Sequence, residues 1–206
     1  FLYYEDDKKT QQPMQLSGLV VIETDDLLGG GVGDKFHQAV DQLKRRLKFG
    51  KWVVLQEKAT EYGGRTLKQF RNFDINISMV RYLKEKGREI VLQRGRCKVP
   101  LAPADASEIA AMRGLNGKLN WAAREGMPQA AGDASILSAC MPNPTVKDVQ
   151  DANMCLRRLL EQESSITIVS IPLNRLKLAL FSDSSLGNRQ GGASQIAWMV
   201  CAVDKD

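Results

Sequence analysis

Two adjacent carboxylates, Asp25 and Asp26, stand at the break between two apolar runs, Leu19-Val20-Val21-Ile22 before them and Leu27-Leu28 behind. Side by side, such groups repel unless a cation neutralises them. Mg2+ suits such a pair, being a hard ion that takes oxygen ligands and is commonly held by one or two protein carboxylates together with substrate phosphates. The same pair is also ordinary turn chemistry, because Asp tolerates the conformations a tight turn demands. A third acid, Asp183, follows the apolar run Leu178-Ala179-Leu180-Phe181, and the same two readings apply to it. His37 is the single histidine and falls in a predicted helix, which argues against serine- or cysteine-type triads built on an imidazole base. Cys97, Cys140, Cys155 and Cys201 form no C-x-x-C pair, a pattern of free thiols in a reducing compartment rather than of a zinc site. Carboxylate and metal chemistry is what remains.

The elements that must position these acids can be read from periodicity. Apolar runs flanking a short polar break predict a β-hairpin with its tip at residues 23–26. Gly29-Gly30-Gly31 and Val32-Gly33 then release the backbone before Asp34, a good N-cap. Phe36, Val40, Leu43 and Leu47 recur at helical spacing, so a helix of about three to four turns is expected to lay one face on the sheet. Its other face and end carry Lys35, Lys44, Arg45, Arg46 and Lys48, with Lys51 just beyond. Cations in a last helical turn complement the helix dipole, and the same residues would make a phosphate-facing stripe. Both readings stand at this point.

Upstream of the hairpin, residues 1–4 read as a short aromatic strand and 5–13 as a polar loop. Downstream, Gly50 closes the helix, and 52–58 and 66–73 read as strands joined through Tyr62-Gly63-Gly64-Arg65. Ser78 is expected to cap a short helix over 79–86 that ends at Gly87. Arg88, Arg94, Arg96 and Lys98 decorate an extended connector leading to Pro100 and Pro103, the clearest linker in the chain. Three helices follow with short connections, opened by Asp105 or Ser107, by Pro128 and by Thr145, and they predict a compact bundle. Residues 166–171, 176–181 and 196–203 then read as strands, with a turn-rich stretch at 182–192. Strands, helices and strands again imply more than one structural unit.

The chain has 206 residues, of which 43% are hydrophobic and 26% charged, an ordinary balance for a globular protein with a real core. No apolar run approaches the roughly 20 residues needed to span a bilayer, and no signal-peptide pattern opens the chain. A net charge of +5 leans toward an acidic partner, of which nucleic acid is the commonest. The sequence begins at Phe1 without an initiator Met and stops at Asp206 inside a strand-like pattern. Both ends are therefore expected to be cuts through a longer polypeptide.

Taken in order, these segments resemble the C-terminal part of the reverse transcriptase of copia-type LTR retrotransposon Pol polyproteins, running into the start of ribonuclease H. Glu23-Thr24-Asp25-Asp26 resembles the family's Y-x-D-D box, and Phe49-Gly50-Lys51-Trp52 the segment that follows the basic helix. Gly63-Gly64-Arg65-Thr66-Leu67-Lys68-Gln69, with Ile77-Ser78 and Tyr82, is similar to the next hairpin and helix. Arg113-Gly114-Leu115-Asn116-Gly117-Lys118-Leu119-Asn120-Trp121 resembles the R-x-x-x-G-x-L-x-W segment, and Phe181-Ser182-Asp183-Ser184 the first strand and first acid of ribonuclease H. Glu23 departs from the family's aromatic and adds a negative charge near the site. Met127-Pro128-Gln129 stands where the family commonly has an Arg-Pro-Asp type sequence.

The resemblance implies an α+β fold: a partial right-hand polymerase palm at 1–99, a helical thumb or connection region at 100–163, and a truncated ribonuclease H-like domain at 164–206. It implies RNA-directed DNA polymerisation by a two-metal, Mg2+-dependent mechanism, with Asp25 and Asp26 as catalytic metal ligands and Asp25 the firmer of the two. Asp183 becomes the first metal ligand of ribonuclease H. Lys44, Arg45, Arg46, Lys48, Lys51, Arg94 and Arg96 become contacts to nucleic acid. The partners implied are an RNA or DNA template-primer, deoxynucleotides and the remainder of the Pol polyprotein, with no membrane. The setting is the cytoplasm, in a virus-like particle, or the nucleus. The polymerase's third carboxylate is expected upstream of Phe1 and the other ribonuclease H acids beyond Asp206, so neither site is expected to be complete here. The alternative is a decayed or repurposed retroelement remnant that binds nucleic acid without catalysis.

Overall fold

In the computed structural model, which describes residues 2–5, 15–187, 192 and 194–205, the chain is mixed α+β with antiparallel sheets and five helices among the described residues. Phe1, the polar loop at 6–13, Met14, and residues 188–191 of the turn-rich stretch lie outside the described residues.

The first sheet is antiparallel, in the order β1 (Leu2–Glu5), β2 (Gln15–Glu23) and β3 (Asp26–Gly31). Helix α1 (Gly33–Arg46) packs on it through Phe36, which is buried. Gly29, Gly30 and Gly31 do not release the chain as expected. They continue β3, opposite Val20, Leu19 and Gly18. The reason is steric: a Cβ on either Gly18 or Gly31 would collide with the Phe36 ring. The chain enters α1 from extended Val32, whose N–H bonds the Ser17 carbonyl at 2.8 Å, so Asp34 lies inside the first turn and is not the cap. Beyond Phe36 the helix and hairpin part, leaving an apolar cleft of about 290 Å3 between Val20, Ile22 and Leu27 on one side and Val40 and Leu43 on the other.

The second sheet runs in the order β4 (Thr60–Tyr62), β5 (Arg65–Gln69), β6 (Ile75–Ser78) and β7 (Ser165–Ile168). Gly63 and Gly64 join β4 to β5 with positive φ at both positions, 54° and 77°, as a two-residue type I′ turn requires. Residues 52–58, expected as a strand, instead turn on themselves: Glu57 and Lys58 both donate to the Val54 carbonyl, and Leu55 makes one bond to Gln69. Strand β7 pairs with β6 in the register Ile75↔Ile168 to Ser78↔Ser165. The strand that leaves the helical region thus completes a sheet begun before it, and the Asn76 side chain reaches across to the Ile166 carbonyl, 90 residues away in sequence.

The main core lies among α2 (Val80–Lys86), α3 (Ala106–Glu125), α4 (Ala131–Cys140) and α5 (Val146–Gln162). Met79, Leu83, Met112, Leu119, Val149 and Leu159 are fully enclosed there. Asp105 and Thr145 open α3 and α5 with reciprocal capping boxes to Glu108 and Asp148. The connector from 88 to 104 lies along this bundle. Asn153 takes both backbone groups of Ile90, at 2.8 and 2.9 Å, and Arg96 forks onto Glu108. The four cysteines form no disulfide among the described residues. Burial in the core pushes the Cys155 thiol up to about 12, which keeps it neutral.

The third sheet is the hairpin of β8 (Leu176–Ser185) and β9 (Gln195–Asp204). It exposes apolar side chains along both strands, among them Leu178, Leu180, Trp198 and Val200. Two strands with so little covered surface gain little stability by themselves. No helix among the described residues is long and apolar enough to cross a membrane.

Candidate functional site

The apolar arms hold the acidic tip in a fixed register. Val21↔Leu28, Ile22↔Leu27 and Glu23↔Asp26 pair in turn, so the loop is the two residues Thr24 and Asp25. Thr24 has φ 56°, in the left-handed region. For a β-branched residue that conformation is strained, and strain of this kind is concentrated at functional sites. Asp25 and Asp26 are exposed on the tip, one in the loop and one opening β3. Together they offer adjacent oxygen donors to solvent, a donor set that fits a hard divalent cation shared with phosphate oxygens. Among the described residues no group of three or more His, Cys, Asp or Glu side chains is placed to hold a metal.

Glu23, directly across from Asp26, is the third acid at the tip, and like charges opposed across a strand pair repel. Its charge does not stand alone. Arg65 Nη2 donates to Glu23 Oε2 at 2.5 Å, while Nη1 of the same guanidinium lies 2.8 Å from Glu125 Oε2 on the last residue of α3. Arg65 is held in turn by its Nε, which donates to the Tyr62 carbonyl, and by the Tyr62 ring beneath it. The Gly63-Gly64 turn makes room for this: a Cβ on Gly63 would approach the Glu23 carboxylate to 2.8 Å. One cation therefore joins the hairpin tip, the second sheet and the helical bundle.

Tyr62 lies beneath that junction. Its side chain is buried and its hydroxyl has no hydrogen-bond partner among the described residues. Burial raises its pKa above the usual phenol value, the Glu23 and Asp26 carboxylates raise it further, and Arg65 opposes them. The phenol remains protonated at neutral pH.

Asp183 is placed elsewhere. It lies within β8, opposite Ala197, rather than just after a strand, and it accepts a hydrogen bond from the Ser184 N–H at 2.8 Å. It shares no sheet with Asp25 and Asp26.

Of the basic residues singled out, Lys44, Arg45 and Arg46 fill the last turn of α1, and Lys48 and Lys51 follow it. Lys44 Nζ sits 4.1 Å from the centroid of the Trp52 ring, Arg45 donates to the Asp41 carbonyl, and Lys51 reaches Thr60 Oγ1 at 3.4 Å. Arg94 is exposed on the connector. Arg96 is engaged differently: Nε and Nη2 bond both oxygens of Glu108 at 2.7 and 2.5 Å, and Nη2 also reaches the Pro103 carbonyl. Sequence reasoning did not single out Arg65, Tyr62 or Trp52. The signal available for Arg65 was Glu23 itself, since a third carboxylate beside Asp25 and Asp26 calls for a cation.

No family model, curated protein or solved structure matches this chain.

Proposed function

We propose that this chain is part of an RNA-directed DNA polymerase with attached ribonuclease H, of the copia-type LTR retrotransposon Pol kind. The observation that carries the proposal is the Asp25-Asp26 pair on a strained two-residue tip between paired apolar arms, followed by a basic helix packed on the same sheet. The first sheet and α1, with the following hairpin and α2, would be the palm part, α3–α5 the thumb or connection, and β8–β9 the opening of ribonuclease H with Asp183 as its first acid. Asp25 and Asp26 would hold Mg2+; when bound, the metal pair supplies Lewis-acid activation of a primer hydroxyl and charge for the departing pyrophosphate. The chain's own contribution is orientation. The apolar ladder fixes where the two carboxylates stand, and Arg65 withdraws Glu23 from competition for the cation. Lys44, Arg45, Arg46, Lys48 and Lys51 supply positive charge for a template-primer backbone. The remaining partners are deoxynucleotides and the rest of the Pol polyprotein, in a cytoplasmic particle or the nucleus.

A second reading is favoured by Glu23. With an ion pair where the family carries an aromatic, the same element would bind nucleic acid without polymerising it. The parent polyprotein decides between the two. Primer extension on an RNA template that depends on Mg2+ and stops on chelation supports the polymerase; no extension while salt-sensitive binding persists supports the remnant.

A further inference from the structure

A second surface lies where α1 ends. Lys44, Arg45, Leu47, Lys48, Phe49 and Trp52 line an open cleft of about 550 Å3. Trp52 is 47% exposed although it is the largest apolar side chain in this part of the chain. It is nevertheless held in place: Phe49 meets it edge to face with centroids 5.4 Å apart, and Lys44 lies over the ring at 4.1 Å. The irregular backbone at 51–54 sets this ring beside a run of cations in the last turn of α1.

A helix-dipole role accounts for the cations but not for the aromatic pair among them. Sequence-independent binding of single strands uses this combination, with cations tracking the phosphates and an aromatic face taking an unpaired base. Duplex binding needs only the cations, because its bases are stacked on one another.

We infer that Trp52, braced by Phe49, is a stacking platform for one base of a single-stranded nucleic acid whose phosphates lie on Lys44, Arg45 and Lys48. Lys44 covers the ring when no strand is bound. A cation–aromatic contact at an exposed site is weak, so an arriving base displaces the ammonium, which then lies beside the phosphate of that nucleotide. The inference rests on the reading of the α1 end as facing nucleic acid and adds the form of its ligand: an unpaired strand, distinct from the duplex that would lie at Asp25 and Asp26.

The test is binding of the 206-residue chain to a labelled oligonucleotide, single-stranded and as its duplex, across a salt series. Trp52→Ala should weaken single-strand binding about tenfold and leave duplex affinity and the salt slope unchanged. Trp52→Phe, which keeps an aromatic face and guards against a folding defect, should stay close to wild type. Lys48→Gln should weaken both forms and lower the salt slope by about one. The platform is overturned if Trp52→Ala binds single strands as wild type does, or loses both forms equally. It is also overturned if Trp52→Phe is as weak as Trp52→Ala. In each of those cases a steep salt slope in the wild type leaves the basic interface standing. Loss of salt-sensitive binding to both forms in the wild type removes the interface and the platform together, while primer extension by the parent tests the polymerase separately.

Discussion

Arg65 and Glu23 meet at 2.5 Å across 42 residues of sequence, and the same guanidinium reaches Glu125 at the end of α3. A glutamate that by its charge alone would disturb the acidic tip is thereby turned into a tether. The tether links the tip to β5 and to the end of α3, and Asp25 and Asp26 are exposed beside the half-buried Glu23.

The ion pair should be measurable as a coupling. Removing Arg65 leaves Glu23 against Asp26 and Glu125 unpaired, so Arg65→Met should cost about 1–2 kcal/mol in urea unfolding; both pairs are partly exposed, which holds the figure below that of a buried pair. Glu23→Gln should cost less, since it also relieves the repulsion with Asp26. A double-mutant cycle between the two should give a favourable coupling of about 0.5–1.5 kcal/mol. Additive effects would mean that the pair does not hold in solution.

Tyr62 supplies the opposite case. Its buried hydroxyl has no partner among the described residues, which leaves its desolvation uncompensated there. Tyr62→Phe should leave stability unchanged or raise it by up to about 1 kcal/mol. A clear loss in thermal or urea unfolding would show that the hydroxyl is bonded after all.

The glycines of the first sheet separate steric need from chain freedom. Gly18→Ala and Gly31→Ala drive a methyl into the Phe36 ring and should each cost about 2 kcal/mol or more, with α1 loosened on the sheet. Gly30→Ala meets nothing within 4 Å and should be neutral or mildly stabilising. Equal effects at all three positions would contradict the seating of Phe36 against Gly18 and Gly31.

Acid stability should report Glu108. Its pKa is lowered, chiefly by the hydrogen bond from Arg96, with burial opposing. A depressed carboxylate contributes stability that is fully present above its unfolded value and lost as pH falls through its folded value. The loss should therefore begin as pH falls past the ordinary glutamate value and be complete only below it. Glu108→Gln should be less stable at neutral pH and should show a smaller further loss on acidification. An unchanged acid limb would place the titration elsewhere.

How far the sequence could be read depended on the distance between partners. The caps at Asp105 and Thr145 and the stop at Gly87 involve neighbours a few residues apart, and the helical region is found where periodicity places it. The tip at Thr24-Asp25 was legible for the same reason. The joining of β7 to β6, the Arg65 junction and the collision that reserves Gly18 and Gly31 all depend on residues brought together only by folding. Residues 52–58 show the limit from the other side. Their composition suits a strand, but among the described residues they meet a neighbouring strand through one bond, from Gln69 to Leu55, and the segment curls into a turn.

If Asp25 and Asp26 are the metal-holding pair of a reverse transcriptase, the charge at Asp25 is indispensable to polymerisation. The most direct measurement is RNA-templated primer extension by the full-length parent with Asp25→Asn, an exchange that keeps size and removes the charge. Extension should fall by about a hundredfold or more, while binding of template-primer and thermal stability stay near wild type. Extension at the wild-type rate by Asp25→Asn would contradict the assignment.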